Sequence, residues 1–190
     1  MKKLTHDEIA KNRSTLDSLH KVKKLPVYVM LNSIRSSYNV GSIFRTSDGA
    51  MIEKLILCGY TPYPPHPDLP SGKKDVLKTS LGSTESVKWE YVKDPKGVIM
   101  KMKDGGINIC ALELTNKSLP YYKLKKDIFP LCLVVGNEIT GVSQEILDMC
   151  DFSIEIPQFG IKQSLNVAVA YGVTIFELRK LYDSKNESKY

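Results

Sequence analysis

No apolar run in this 190-residue chain reaches the roughly 18 residues of a membrane-spanning helix. The N-terminus is basic and poor in apolar residues, so it lacks the hydrophobic stretch of a secretory signal. Cysteine is scarce and scattered. Cys58, Cys110 and Cys132 fall in apolar, strand-like runs, Cys150 stands apart, and no C-x-x-C occurs. With only His6, His20 and His66 beside them, no metal-ligand spacing emerges, and buried, reduced thiols in a cytoplasmic protein are expected.

The phosphate and nucleophile motifs are missing as well. Gly136–Gly141 has the G-x-x-x-x-G spacing, but Val142-Ser143 follows where a P-loop needs Lys and Ser/Thr. Without that lysine nothing reaches a β- or γ-phosphate. No G-x-G-x-x-G follows a strand, which removes the dinucleotide fingerprint. No G-x-S-x-G elbow exists, and Ser164 has no nearby histidine, which argues against acyl transfer. His66 lies alone in the proline-rich stretch Thr61–Gly72, where solvation is its ordinary fate.

What is present is ordinary for one globular domain: 42% hydrophobic and 25% charged residues, enough chain to bury a core without disulfides. The net charge of +6 and pI near 9.0 point to a polyanionic partner, nucleic acid in the first instance, without naming it.

In chain order, Thr5-His6-Asp7-Glu8 has the form of a capping box and predicts a helix to about Leu19. Residues 1–24 carry seven Lys/Arg against three Asp/Glu, so this arm is either a phosphate-binding element or a solvated helix packed on the body or a partner subunit. Pro26 closes it. Val27–Leu31 reads as a buried strand, then Ser37 or Asn39 can cap a helix with apolar positions Val40, Ile43, Phe44 and Ala50. Lys54–Tyr60 is the next strand, Thr61–Gly72 a surface loop, Lys78–Ser83 a polar turn and Val87–Val92 a strand. Asp94–Lys103 fits a helix ended by Asp104-Gly105-Gly106, and Ile107–Leu114 is a clear strand. Strands and helices alternate without internal repeats, as in a mostly parallel α/β sheet flanked by helices.

The stretch Leu131–Phe176 concentrates the unusual residues. Two loops, Gly136–Gly141 and Ile156–Asn166, each begin where a β-rich run stops and end where a helix can start. In an open α/β sheet such strand ends hold ligands. The loops carry Asn, Glu, Ser and backbone amides, with glycines at 136, 141 and 160 to permit close approach or positive φ. The helix after Ser164 is apolar nearly all round, with Ala168, Ala170 and Gly172 small, and is expected to be buried in the core or at a subunit interface.

Three segments, NSIRSSYNVGSIFRTSDG, VVGNEITGVSQEIL and IEIPQFGIKQSLNVAVAYGV, resemble in order and spacing the three motifs of the SpoU family, the tRNA/rRNA 2′-O-ribose methyltransferases within the SPOUT superfamily. The resemblance covers roughly Val27–Leu181, and KTSLGSTESVKWE is similar to the family's middle segment. It implies a C-terminal deep trefoil knot in the sheet, S-adenosylmethionine held in that knot, a homodimer, and RNA as substrate; from the residues themselves no membrane and no metal are expected. By position the resemblance implies a cofactor pocket of Leu112, Glu113, Leu114, Gly136, Asn137, Gly141, Ile156, Ser164 and Leu165, largely through backbone. It implies a catalytic group of Asn39, Arg45, Glu138, Ser164 and Asn166. A guanidinium is ordinarily a donor only, so Arg45 either activates the hydroxyl or holds the neighbouring phosphate. Asn39 would orient Arg45 or the RNA backbone, and Ser164 and Asn166 would shape the third loop. Glu138 either pairs with a cation or caps the helix after Gly141.

One departure stands out: Ser36-Ser37-Tyr38 replaces the proline that often precedes the first motif's Asn-x-Gly. The implied layout is a basic arm over 1–24, a methyltransferase domain over 25–183 and a polar tail over 184–190, without a separate RNA-binding domain. The readings that compete are an RNA-binding protein of this fold without activity, and a methyltransferase acting on a base or a protein.

Overall fold

In the computed structural model, which describes residues 1–11, 13–69 and 71–184, the strand β1 (Leu25–Asn32) explains its own apolar sequence. Leu25, Val27, Val29 and Leu31 enter one core, while Met30 enters a second core on the opposite face, with Tyr28 packed against it. A strand buried on both faces has no polar side to show. Pro26, which has no N–H, sits where the register against the next strand shifts between Leu25 and Tyr28, before the ladder on the other side begins at Val27.

The remaining strands are β2 (Ile52–Cys58), β3 (Trp89–Val92), β4 (Asn108–Leu112), β5 (Leu119–Pro120), β6 (Leu131–Val135) and β7 (Phe152–Glu155). They form one seven-stranded sheet of order β3-β2-β1-β6-β4-β7-β5 in which every neighbouring pair is parallel. The helices are α1 (His6–Lys11), α2 (Ser37–Ala50), α3 (Lys74–Ser80), α4 (Ser83–Ser86), α5 (Pro95–Asp104), α6 (Gln144–Leu147) and α7 (Val167–Asp183). α2, α3 and α7 bury Phe44, Val76, Tyr171 and Ile175 in the first core; α5 and α6 bury Ile99, Met102 and Ile146 in the second. Parallel strands put all their C-terminal ends on one edge, so the loops after β1, β2, β6 and β7 converge there.

α2 starts one residue earlier than the expected caps allow: Ser36 is its N-cap, its side chain accepting from the Asn39 N–H at 3.3 Å. α7 starts at Val167 rather than at Ser164, because the Asn166 side chain accepts from the Ala168 N–H at 2.9 Å and caps it. α2 and α7 pack together, and the Ser47 and Tyr171 hydroxyls hydrogen-bond at 2.7 Å inside the core.

Two local expectations are corrected, and a third is narrowed. The N-terminal arm does hold the Thr5/Glu8 capping box, but its helix ends at Lys11 and a 3-10 turn follows over Leu16–Lys21. Thr15 and Ser18 form a second capping box, with the Thr15 N–H on Ser18 Oγ at 2.8 Å, and neither element buries a residue that would hold a longer helix together. Lys78–Ser80 is the end of α3 rather than a turn, which falls at Leu81-Gly82, both with positive φ. Of the core and subunit-interface alternatives for α7, the core takes one face, Tyr171, Thr174 and Ile175, and leaves Val169, Val173 and Phe176 exposed on this chain.

The end of the arm is tied to the body. Lys24 Nζ donates to the Glu53 carbonyl at 3.2 Å, Lys23 lies 4.8 Å from the Tyr182 ring centre, and Arg179 Nη1 donates to the Lys23 carbonyl at 3.4 Å. Apart from Ser184, the tail expected over 184–190 lies outside the described residues. All four thiols are free, three of them buried; burial pushes Cys58 up to about 12 and Cys150 to about 11, which leaves both inert as nucleophiles near neutral pH. Among the described residues no helix is long and apolar enough to cross a membrane.

Candidate active site

The loops after β6 and β7 and the end of β4 enclose a cavity of about 690 Å³, within the range of small-molecule and cofactor sites. All nine residues expected to form the cofactor pocket line it: Leu112, Glu113, Leu114, Gly136, Asn137, Gly141, Ile156, Ser164 and Leu165. Glu138 and Asn166, from the expected catalytic group, line it too, but Asn39 and Arg45 do not. Walls that sequence reasoning did not place in the pocket include Val135, Ile139, Gln158 and Ala170. The last could have been found from helical spacing, one turn beyond Asn166.

Close backbone approach shapes the first loop. A Cβ on Gly136 would lie 2.3 Å from the Gly141 carbonyl carbon and the Val142 nitrogen. Gly141 has φ +67°, and a Cβ there would lie 2.2 Å from Glu113 Oε2. That carboxylate takes the space: Oε2 accepts from the Val142 N–H at 2.8 Å and Oε1 from the Leu114 N–H at 3.1 Å. Asn137 and Gly141 exchange two backbone hydrogen bonds at 3.0 and 2.9 Å, closing the loop. Gly160, by contrast, has open space around it and needs no glycine on steric grounds.

Asn137 lines the cavity, yet its side chain serves the scaffold. Oδ1 accepts from the Ile139 and Thr140 N–H groups at 2.8 and 3.0 Å, and Nδ2 donates to the Ser33 carbonyl and the Tyr60 hydroxyl, both at 2.8 Å. Thr61 stitches the same region: Oγ1 accepts from the Ile34 N–H at 3.0 Å, and it lies 2.9 and 2.7 Å from the Leu31 and Cys58 carbonyls. Tyr60 and Thr61 carried no sequence signal that would have marked them.

Glu138 corrects the sequence reading. Among the described residues it neither pairs with a cation nor caps α6; it reaches the loop that enters α2. Oε2 accepts from the Arg35 N–H at 2.8 Å, and Oε1 from the Ser36 N–H at 3.1 Å and from Asn39 Nδ2 at 2.8 Å. Free N–H groups at a helix start attract a carboxylate, and the entry to α2 supplies them here. Burial pushes the Glu138 carboxyl up, but the hydrogen bonds from Arg35, Asn39 and Ser36 outweigh it and hold it below its ordinary value. Asn166 Nδ2 donates to Asn39 Oδ1 at 3.2 Å, which extends the chain of contacts to the start of α7. One hydrogen-bonded line thus joins the three motifs.

Arg45 stands apart, two turns along α2, exposed and without a hydrogen-bond or ion-pair partner among the described residues. Ser164 lines the cavity with no hydrogen bond to its side chain among the described residues. Residues 157–165 make no backbone–backbone hydrogen bond there either, so their peptide groups are open to a ligand. Free peptide groups, glycine-permitted approach and apolar walls suit a nucleoside-bearing amino acid such as S-adenosylmethionine.

A parallel α/β sheet with such a strand-end pocket defines a cofactor-binding enzyme fold. Residues 26–176 match the model of the SpoU rRNA Methylase family, and the chain belongs to that family. It is 34% identical over 161 residues to the tRNA (guanosine(18)-2′-O)-methyltransferase of Aquifex aeolicus, covering 83% of this chain and 70% of the relative. Relatives from Staphylococcus aureus, 31% identical over 160 residues, are longer, and the chain covers 61% of their length. The crystal structure of the A. aeolicus TrmH/SpoU tRNA modifying enzyme superposes with a TM-score of 0.77 at 29% identity, over 90% of this chain and 84% of that one. An AdoMet-bound rRNA methyltransferase from Sinorhizobium meliloti superposes with a TM-score of 0.71 at 25% identity, over 85% and 59%. The expectation drawn from the three motifs, an S-adenosylmethionine-dependent RNA methyltransferase on a parallel α/β sheet, is met.

Proposed function

We propose that this chain transfers a methyl group from S-adenosylmethionine to a ribose 2′-hydroxyl of tRNA or rRNA. The observation that carries the reading is the line Glu138–Asn39–Asn166, which ties the motif-one helix to the mouth of the pocket. S-adenosylmethionine, when bound, supplies an activated methyl group. The chain's own contribution is position: Gly136 and Gly141 admit the ligand close to the backbone, Leu112, Ile156 and Leu165 wall it, and residues 157–165 offer peptide groups. Orientation of the two reacting groups accounts for much of such a barrier. Asn39 holds the start of α2 against the pocket, and Arg45 donates to the phosphate beside the target ribose.

The same reading includes a homodimer in the cytoplasm, an RNA-binding arm over 1–24 and a methyltransferase domain over 25–183. Val169, Val173 and Phe176 on the outer face of α7 support a subunit contact there. The free, mostly buried thiols suit a reducing compartment. The position of β6 between β1 and β4, with the chain returning from β7 to α7 against α2, supports the trefoil threading.

The test is nucleoside analysis of tRNA and rRNA after reaction with the protein and labelled S-adenosylmethionine. Label in alkali-resistant dinucleotides is expected, since a 2′-O-methyl group blocks backbone cleavage. Label confined to a methylated base would overturn the ribose assignment, and no label in any RNA would overturn the activity.

A further inference from the structure

Asn137 and Glu138, consecutive residues of the loop after β6, each hold one exposed residue of a neighbouring strand-end loop. Glu138 Oε2 fixes the Arg35 backbone N–H at 2.8 Å, and Asn137 Nδ2 fixes the Tyr60 hydroxyl at 2.8 Å. The two loops they belong to are themselves joined, by the Ser33 N–H on the Cys58 carbonyl at 3.1 Å and the Ile34 N–H on Thr61 Oγ1 at 3.0 Å. Tyr91 adds a hydroxyl donated to the Gly59 carbonyl at 2.7 Å.

The backbone here is over-determined, yet two side-chain surfaces are unused. Among the described residues the Arg35 guanidinium has no hydrogen-bond or ion-pair partner. Glu138, bound to its main chain, is already taken by three N–H donors. Tyr60 is 63% exposed although its hydroxyl is satisfied, so what remains open is the ring. A free guanidinium carried on a fixed backbone and an aromatic ring held by its hydroxyl match the two chemical features of a nucleotide, a phosphate and a π-face.

We propose that Arg35 and Tyr60 form a nucleotide-docking site at the mouth of the pocket, Arg35 contacting an RNA phosphate and Tyr60 stacking on a base next to the target ribose. Arg35 and Tyr60 are RNA-positioning residues. The inference rests on the RNA methyltransferase reading, and its function is to set which ribose reaches the pocket.

The experiment measures binding of a fluorescein-labelled, unmodified tRNA transcript across a potassium chloride series, for wild type, Arg35→Ala, Arg35→Lys, Tyr60→Phe and Tyr60→Ala. Stabilisation by S-adenosylhomocysteine is followed for each as a readout of the pocket. Arg35→Ala should weaken RNA binding about 10-fold and lower the salt slope by about 0.7 to 0.9. Arg35→Lys should keep the slope and recover part of the affinity. Tyr60→Ala should cost about 5- to 10-fold with the slope unchanged, while Tyr60→Phe, which keeps the ring but loses its tether to Asn137, should fall between wild type and Tyr60→Ala. Stabilisation by S-adenosylhomocysteine should be unchanged throughout. Wild-type affinity and slope in Arg35→Ala and Tyr60→Ala would overturn the proposal, as would loss of S-adenosylhomocysteine stabilisation in parallel with RNA binding. Methyl transfer by wild type together with unaffected variants sinks this inference alone. The expected variant effects without any methyl transfer sink the activity and leave the docking site standing; a wild type that does not bind the transcript overturns the docking site.

Discussion

Asn39 Nδ2 donates to Glu138 Oε1 at 2.8 Å across 99 residues of chain, and Asn39 Oδ1 accepts in turn from Asn166. Neither partner is near it in sequence, and neither contact belongs to the hydrophobic core. Asn39 is the joint at which the first motif meets the other two.

Asn39→Ala therefore removes a donor from Glu138 and an acceptor from Asn166. A loss of about 1 to 2 kcal/mol is expected in urea unfolding, with methyl transfer down at least about 10-fold. Combined with Asn166→Ala in a double-mutant cycle, a coupling of about 0.5 kcal/mol or more is expected. Strict additivity would show the 3.2 Å contact to be idle.

Glu138 makes the stability pH-dependent in a defined direction. Burial works to raise its carboxyl, but the hydrogen bonds from Arg35, Asn39 and Ser36 prevail, so the folded value lies below the ordinary 4.5. A depressed carboxylate contributes stability that is complete above the unfolded value and is lost as pH falls through the folded one. Wild type should exceed Glu138→Gln by about 1 kcal/mol at neutral pH, a modest figure because the group is only partly buried and is screened by solvent. That margin should narrow below about pH 4.5. A margin that widens on acidification would contradict the assignment.

Gly136→Ala and Gly160→Ala form a matched pair. At Gly136 the new methyl would meet backbone at 2.3 Å; at Gly160 it meets nothing within 4 Å. The first should cost about 2 kcal/mol or more and abolish stabilisation by S-adenosylhomocysteine. The second should stay within about 0.5 kcal/mol and keep that stabilisation, about 2.7 kcal/mol at a hundredfold excess over Kd. Thermal unfolding with and without S-adenosylhomocysteine reads both.

Arg45 lies outside the cavity, so binding and chemistry should separate there. Arg45→Ala should leave S-adenosylmethionine affinity unchanged and reduce single-turnover transfer at least about 100-fold, roughly 2.7 kcal/mol of transition-state stabilisation. Arg45→Lys should recover only part of it, because the planar fork is gone. Wild-type transfer in Arg45→Ala would remove Arg45 from the reaction.

Val173→Glu places a charge on the exposed apolar face of α7, away from the fully buried Tyr171 and Ile175. The chain should stay folded by circular dichroism and scatter light as a monomer, since an unpaired charge in an apolar contact is costly. Ala170, which sequence pattern alone marks equally well, is the wrong site for this test because it lines the cavity. Wild-type dimerisation in Val173→Glu would move the interface elsewhere.

The sequence by itself determined the alternation of strands and helices and the two loops at strand ends, while its resemblance to the SpoU motifs implied the nine residues that come to line the cavity. These are local properties: apolar periodicity, glycine position and motif order survive without knowing what packs on what. Only the tertiary structure decided what each polar side chain binds. Glu138 looks like a cap for the helix just downstream, but its carboxylate takes the amides of Arg35 and Ser36, brought beside it by the parallel pairing of β1 with β6. Asn137 lines the cavity as the motif implied, but its side-chain amide is spent on Ser33 and Tyr60. The apolar helix after Ser164 could not reveal which of its faces the chain itself would cover, since every face looks alike until α2 packs against one. Hydrogen bonds to unpaired backbone groups form wherever the fold brings them within reach, so partners separated by about a hundred residues are set by sheet register and not by local sequence.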